Sequence, residues 1–157
     1  MNEISQKRRT LLKGTLAIGA TSSLIGTGLV HTHPIERPAW PKDAFNANTV
    51  KEGLMELTGN DKVIPSPDDI LIKAPTIAEK GIAHITIQSH IPDTESITIF
   101  IPNNSSPLVA NFILNQKVSN TITTRIKIED SGDIVAVIKA SNMLYSATKK
   151  MRTPAAK

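Results

Sequence analysis

The sequence predicts a mainly β fold: an antiparallel β-sandwich preceded by one short N-terminal helix. Three observations carry this. From Asp69 onward, apolar and polar residues alternate with a period of two in several short runs, as half-buried strands require. Isoleucine, valine and threonine dominate those runs, and their branched side chains suit a pleated surface. Turn-forming clusters separate them at Pro92-Asp93, Asn103-Asn104-Ser105-Ser106-Pro107 and Asp130-Ser131-Gly132-Asp133. About seven short strands at this spacing make a sandwich.

Residues 1–33 are expected to be an export segment. Lys7-Arg8-Arg9-Thr10-Leu11-Leu12-Lys13 precedes a weakly apolar run from Leu16 to Val30. That is the pattern of a twin-arginine signal peptide. A membrane span needs about 20 predominantly apolar residues. This run is diluted by Gly19, Thr21, Ser22, Ser23, Gly26, Thr27 and Gly28, so no stable membrane insertion is expected after export. No Ala-x-Ala closes the run, and cleavage is expected between Val30 and Arg37. The twin-arginine route carries folded chains, which suits a periplasmic protein that must bind a cofactor or partner before transport.

Residues 34–149 are expected to form the sandwich and 150–157 a tail. His31 to Lys42 reads as an extended linker, because Pro34, Pro38 and Pro41 interrupt regular structure. Trp40, the chain's one tryptophan, is expected to lie over the core. Thr49-Val50-Lys51-Glu52 is a capping box that opens a helix to Leu57. Val50, Leu54 and Leu57 share its apolar face, and Gly59 stops it. Ile70-Leu71-Ile72 is a short strand before Pro75. In Ile82 to Gln88, Ala83, Ile85 and Ile87 oppose His84, Thr86 and Gln88. Ile97, Ile99 and Ile101 oppose Ser96 and Thr98, and Phe112 and Leu114 continue the alternation. Ile122, Ile126 and Ile128 oppose Thr123, Arg125 and Lys127. Ile134 to Ala140 is apolar on both faces, as a central strand would be. A last strand covers Asn142 to Thr148.

Composition bounds the function. The chain has 157 residues, and without the export segment about 120 remain, enough for one domain with one core. Lys7, Arg8, Arg9 and Lys13 against Glu3 hold +3 of the net charge of +4, leaving +1 for the rest. No basic stripe remains, and aromatic residues are too scarce for base stacking, so nucleic acid is excluded as a partner. There is no cysteine in the sequence, which excludes thiol nucleophiles and thiolate metal sites within it.

The residues that invite chemistry are few. His31-x-His33 has no further ligands beside it. His84 falls on the polar face of a strand and His90 follows that strand's end, positions typical of surface histidines. Asp68-Asp69 and Glu129-Asp130 are acidic pairs without the repeated oxygen spacing of a calcium loop, and read as solvated turns. No phosphate-binding glycine loop and no Gly-x-Ser-x-Gly occurs. Spacing alone thus assigns no catalytic residue, no cofactor and no metal ligand.

Several segments taken together resemble a known family. Pro75-Thr76-Ile77-Ala78-Glu79-Lys80-Gly81 precedes a strand, and Pro107-Leu108-Val109-Ala110 opens another. Thr124-Arg125-Ile126-Lys127, Val135-Ala136-Val137 and Leu144-Tyr145-Ser146-Ala147 follow. In this order, behind a twin-arginine signal and an initial helix, they resemble SoxY, the substrate-carrier subunit of the periplasmic thiosulfate-oxidising (Sox) system. The resemblance covers Trp40 to Lys149. It implies an immunoglobulin-like sandwich, no enzymatic activity of its own, and a heterodimer with SoxZ, a second small sandwich. It implies possible contacts with other Sox components. In that family, sulfur intermediates ride on a cysteine in a C-terminal Gly-Gly-Cys-Gly-Gly arm.

This sequence departs from the family there. After Ala147 it reads Thr148-Lys149-Lys150-Met151-Arg152-Thr153-Pro154-Ala155-Ala156-Lys157. The thioether of Met151 cannot become a thiolate or form a persulfide. Three readings stay open at this level: a cysteine-less SoxY-like scaffold or accessory, an ordinary carrier whose C-terminus is truncated here, or an unrelated periplasmic sandwich that binds a partner. For a SoxZ-like partner, the segments Pro107 to Phe112 and Leu144 to Ala147 are the expected contacts. The alternative is that Leu108, Phe112 and Leu144 belong to the core.

Overall fold

Nine residues from Val50 to Thr58 form helix α2, and their caps show why. The Thr49 hydroxyl accepts from the Glu52 backbone N–H at 3.1 Å. The Glu52 carboxylate reaches back to the Asn48 N–H at 3.1 Å, one residue further than an ordinary capping box. Gly59 takes the left-handed conformation (φ 70°) and donates to the Met55 carbonyl at 2.8 Å. Leu54 is buried, and Val50 and Leu57 pack beside it, as the periodicity predicts.

The computed structural model describes residues 39–115 and 118–153. The expected export segment at 1–33, with His31 and His33, lies outside the described residues, as do positions 154–157 of the expected tail. Among the described residues no helix is long and apolar enough to cross a membrane.

Eight strands follow α2: β1 (Val63–Pro65), β2 (Ile70–Lys73), β3 (Ile82–Ser89), β4 (Thr94–Phe100), β5 (Leu108–Ile113), β6 (Thr121–Lys127), β7 (Gly132–Ala140) and β8 (Met143–Met151). They make a five-stranded sheet ordered β1-β8-β7-β4-β5 and a three-stranded sheet ordered β2-β3-β6. The predicted mainly β sandwich behind a short helix is therefore present.

Alternation sorts the side chains into two cores. Ile85, Ile87, Ile97, Ile99, Ile126 and Ile138 meet between the sheets. Phe100, Leu108, Val137 and Leu144 lie on the other face of the larger sheet, under Ala44 and Leu54 of the helices. The central strands β4 and β7 are thus covered on both faces, which explains the doubly apolar run from Ile134 to Ala140. Gly53 permits the close approach of α2, since a Cβ there would stand 3.0 Å from the Phe100 ring.

Three expectations need correction. The stretch just after the expected linker, read without a helix, forms helix α1 (Lys42–Asn46), which takes in the linker's last residue and starts directly after Pro41. Proline interrupts a helix interior but fits a helix start, and five residues are too few to show a period. The sheet is not wholly antiparallel, because β1 pairs in parallel with β8, Val63 facing Leu144. The last strand runs past Thr148 to Met151, which is buried, and Arg152 pairs with Ile77. Arg152 donates its N–H to the Thr76 carbonyl at 3.0 Å and accepts from the Ala78 N–H at 2.8 Å. Lys149 through Arg152 are therefore held by the sheet.

Candidate functional site

One member of each acidic pair singled out in the sequence serves as a staple. Glu129 accepts from the Ser105 backbone N–H at 2.8 Å and from Lys127 Nζ at 3.2 Å. The Ser105 hydrogen bond, then the lysine, holds its carboxyl below the usual carboxylate range. Asp69 accepts from the Ser66 hydroxyl at 2.7 Å, closing a turn, while Asp68 and Asp130 are exposed. His84 is exposed and faces Arg125 across the β3–β6 ladder. His90 is exposed, with its backbone N–H on the Asp69 carbonyl at 2.8 Å. Among the described residues no three histidine, cysteine, aspartate or glutamate side chains gather into a ligand set.

A concave feature of the domain lies instead along β5, an outer strand of the larger sheet. A groove of about 470 Å3 runs beside Val109 through Ile113, and its opposite wall is Trp40, Pro41, Phe45 and Leu57. Trp40 stacks on Phe45 with ring centroids 4.6 Å apart and planes 14° from parallel. The tryptophan is 66% exposed, so it does not cover the core as expected. It forms a rim, stacked from below by a half-buried ring. The Ser106 hydroxyl donates to the Phe45 carbonyl at 2.7 Å and fixes α1 beside the start of β5.

The hydrogen-bond phase of β5 follows from its end. Leu114 donates its N–H to the Glu95 carbonyl at 2.8 Å. Register pairs Phe112 with Ile97 and Ala110 with Ile99. Antiparallel ladders alternate bonded and non-bonded pairs. Ala110 and Phe112 therefore turn their backbone groups to β4, and Asn111 and Ile113 turn theirs to the open flank. Ile113 is 67% exposed. The Asn111 side chain accepts from the buried Thr98 hydroxyl at 2.9 Å and so stays on the helix side.

A smaller cavity of about 170 Å3 shares Leu57, Asn111 and Ile113 with the groove. It is closed by Glu95 and Lys139, 2.9 Å apart. The lysine is the largest influence holding the Glu95 carboxyl below its ordinary range. The groove is thus apolar, and the adjoining cavity carries the charged pair Glu95 and Lys139.

Of the expected partner contacts, Leu108 and Leu144 are each 3% exposed and belong to the core under the helices. Pro107 and Ala147 are buried, and Tyr145 and Ser146 pair with β1. Phe112 packs partly against the core between the sheets. The groove escaped sequence reasoning because Trp40 and Pro41 of one wall come from the stretch read as a linker, and Phe45 from a helix the sequence does not predict. Its signal was present: a strand without any charge, Leu108-Val109-Ala110-Asn111-Phe112-Ile113.

Comparison with known proteins bears on this arrangement. The family described as sulfur oxidation protein SoxY matches residues 54–155. The solved structure of the sulfur carrier protein SoxY from Chlorobium limicola f thiosulfatophilum is 30% identical, with a TM-score of 0.60 over 73% of this chain and 99% of that chain. A putative superoxide reductase from Thermotoga maritima is 17% identical, with a TM-score of 0.51 over 60% of this chain and 96% of that one, a likeness of fold alone. No curated protein matches.

Proposed function

The chain belongs to the SoxY family, and from that premise we propose that it serves periplasmic sulfur oxidation as a non-catalytic subunit. It pairs with a SoxZ-like protein and does not itself carry the sulfur substrate. One observation carries the last point: a member of a sulfur-carrier family whose sequence holds no cysteine. Carriage of a persulfide or S-thiosulfonate needs a thiolate. Met151 offers only a thioether, and it is buried at the end of β8. The proposal includes folded export through the twin-arginine segment at 1–33, which suits a subunit that crosses the membrane with its partner bound.

The groove along β5 supports a binding role. It is apolar, it has an exposed aromatic rim, and no acid–base pair or ligand cluster lies in it. Native mass spectrometry of the complex taken from the host periplasm tests the reading. The expected result is a heterodimer with a second small subunit, in which this chain carries no thiol. A heavier chain with a free thiol overturns the non-carrier assignment and restores ordinary carriage. A lone monomer overturns the pairing.

A further inference from the structure

We propose that the open flank of β5 receives an edge strand of the partner subunit, which extends the five-stranded sheet across the subunit boundary, with Trp40 as the anchor on the facing wall. The inference rests on the pairing proposed above and adds where and how the partner binds.

Among the described residues four strands are sheet edges, and three of them are blunted. β1 has three residues and ends in Pro65, which has no N–H to offer. β2 has four residues, ends in Lys73 and runs into Pro75. β6 carries Arg125 and Lys127, both exposed. Short length, proline and edge cations are the devices by which sheets refuse further strands. β5 has none of these within its six residues, although it follows Pro107 directly and bulges at Val109, between the Ile99–Ala110 and Phe100–Leu108 pairs. Its six residues include no charge and no proline, and among the described residues no strand pairs with its outer flank.

The backbone phase selects the occupant. N–H and C=O groups of Asn111 and Ile113 point outward at every second residue. An extended strand satisfies that spacing, whereas a helix laid in the groove would not. Side chains of a strand alternate in direction. An incoming strand therefore places every second side chain between the sheet and the stack of Trp40 on Phe45, with Leu57 beneath. The stack is already formed, and Ser106 holds its backbone, so little ordering remains to be done on binding.

Residue-resolved amide exchange by NMR tests this, on the isotopically labelled chain with and without the SoxZ-like subunit. The expected result is alternate: exchange at Asn111 and Ile113 slows at least about tenfold on binding, while Ala110 and Phe112, already bonded to β4, are slow in both states. Trp40→Ala is expected to weaken binding about 30-fold, the loss typical of a central aromatic anchor. Ile113→Pro removes one outward N–H and is expected to weaken binding similarly while leaving the thermal midpoint of the free chain within a few degrees. Ile113→Lys serves if the proline variant fails to fold. If the complex forms with all these amides unchanged and the variants binding normally, the strand addition is overturned and the pairing stands. If no complex forms, the pairing itself fails and this inference with it. If Asn111 and Ile113 are already slow in the free chain, the flank is occupied by this chain's own segment or a second copy, and the proposal is overturned.

Discussion

Between Asn103 and Ser106, four consecutive residues commit polar groups to fixed partners. From Val109 to Ile113, the next strand leaves one flank of its backbone without a partner among the described residues. In the first region, Asn103 donates to the Ser131 carbonyl at 2.6 Å. Asn104 donates to the Lys127 carbonyl and accepts from the Glu129 N–H, both at 2.9 Å. Ser105 bonds Glu129, and Ser106 bonds Phe45. These bonds clamp the entry of β5 to the end of β6 on one side and to α1 on the other. In the second region the side chains are apolar or turned inward, and nothing charged guards the flank. The difference teaches how a loop and a strand divide one task. The loop fixes the height and angle of β5, and the strand is then presented as a rigid edge.

Leu108 joins the two regions, buried under the helices at the first position of β5. Leu108→Ala is expected to cost about 2–5 kcal/mol, the range for a buried leucine truncated in a packed core. Urea denaturation reads this as a lower midpoint at unchanged slope. A cost below about 1 kcal/mol would mean that the strand is held by its loop alone.

Asn104→Ala breaks the clamp without touching the groove. Two hydrogen bonds are lost on a partly exposed side chain, so a cost of about 1–2 kcal/mol is expected. Amide exchange at Ser105 should quicken while exchange at Phe112 does not. Equal quickening at both would erase the distinction between clamped loop and rigid edge.

The smallest effect is a pH dependence. Glu129 is ionised in its contact with the Ser105 N–H, and its folded pKa lies below the ordinary value. A depressed carboxylate pKa stabilises the fold above the unfolded value, near 4.3, and the contribution is lost as pH falls through the folded pKa. Glu129→Gln is therefore expected to lower the thermal midpoint slightly at pH 7 and to match the parent chain near pH 3. A difference that persists unchanged at pH 3 would assign the effect to shape rather than charge.

Much of the framework was legible in local pattern. Ala83, Ile85 and Ile87 point inward from β3, and Ile97 and Ile99 from β4, as their alternation predicts. The Thr49 cap and the Gly59 stop bound α2 within one residue of the sequence reading. These succeed because each depends on neighbours within a few positions. Other elements failed for stated reasons. β1 is three residues long and exists by its parallel pairing with β8, about 80 positions away. Lys150 and Met151 read as the start of a tail, yet they lie in β8, where Lys149 Nζ of the same strand reaches the Ile72 carbonyl at 3.3 Å. A long cationic side chain can lie along a strand with its stem packed and its head bonded, so charge alone is a poor end marker.

The sequence by itself determined the class of the fold, the order of most strands along the chain, the inward face of each, and the absence of any thiol chemistry within it. Those properties follow from side-chain periodicity and composition, which are local or countable. Only the tertiary structure decided which strands are edges, that β4 and β7 are covered twice, and that Trp40, Phe45 and β5 enclose one groove. Strand order in a sheet is set by pairings between distant segments, and two strands with the same alternation are indistinguishable until those pairings make one central and leave the other open.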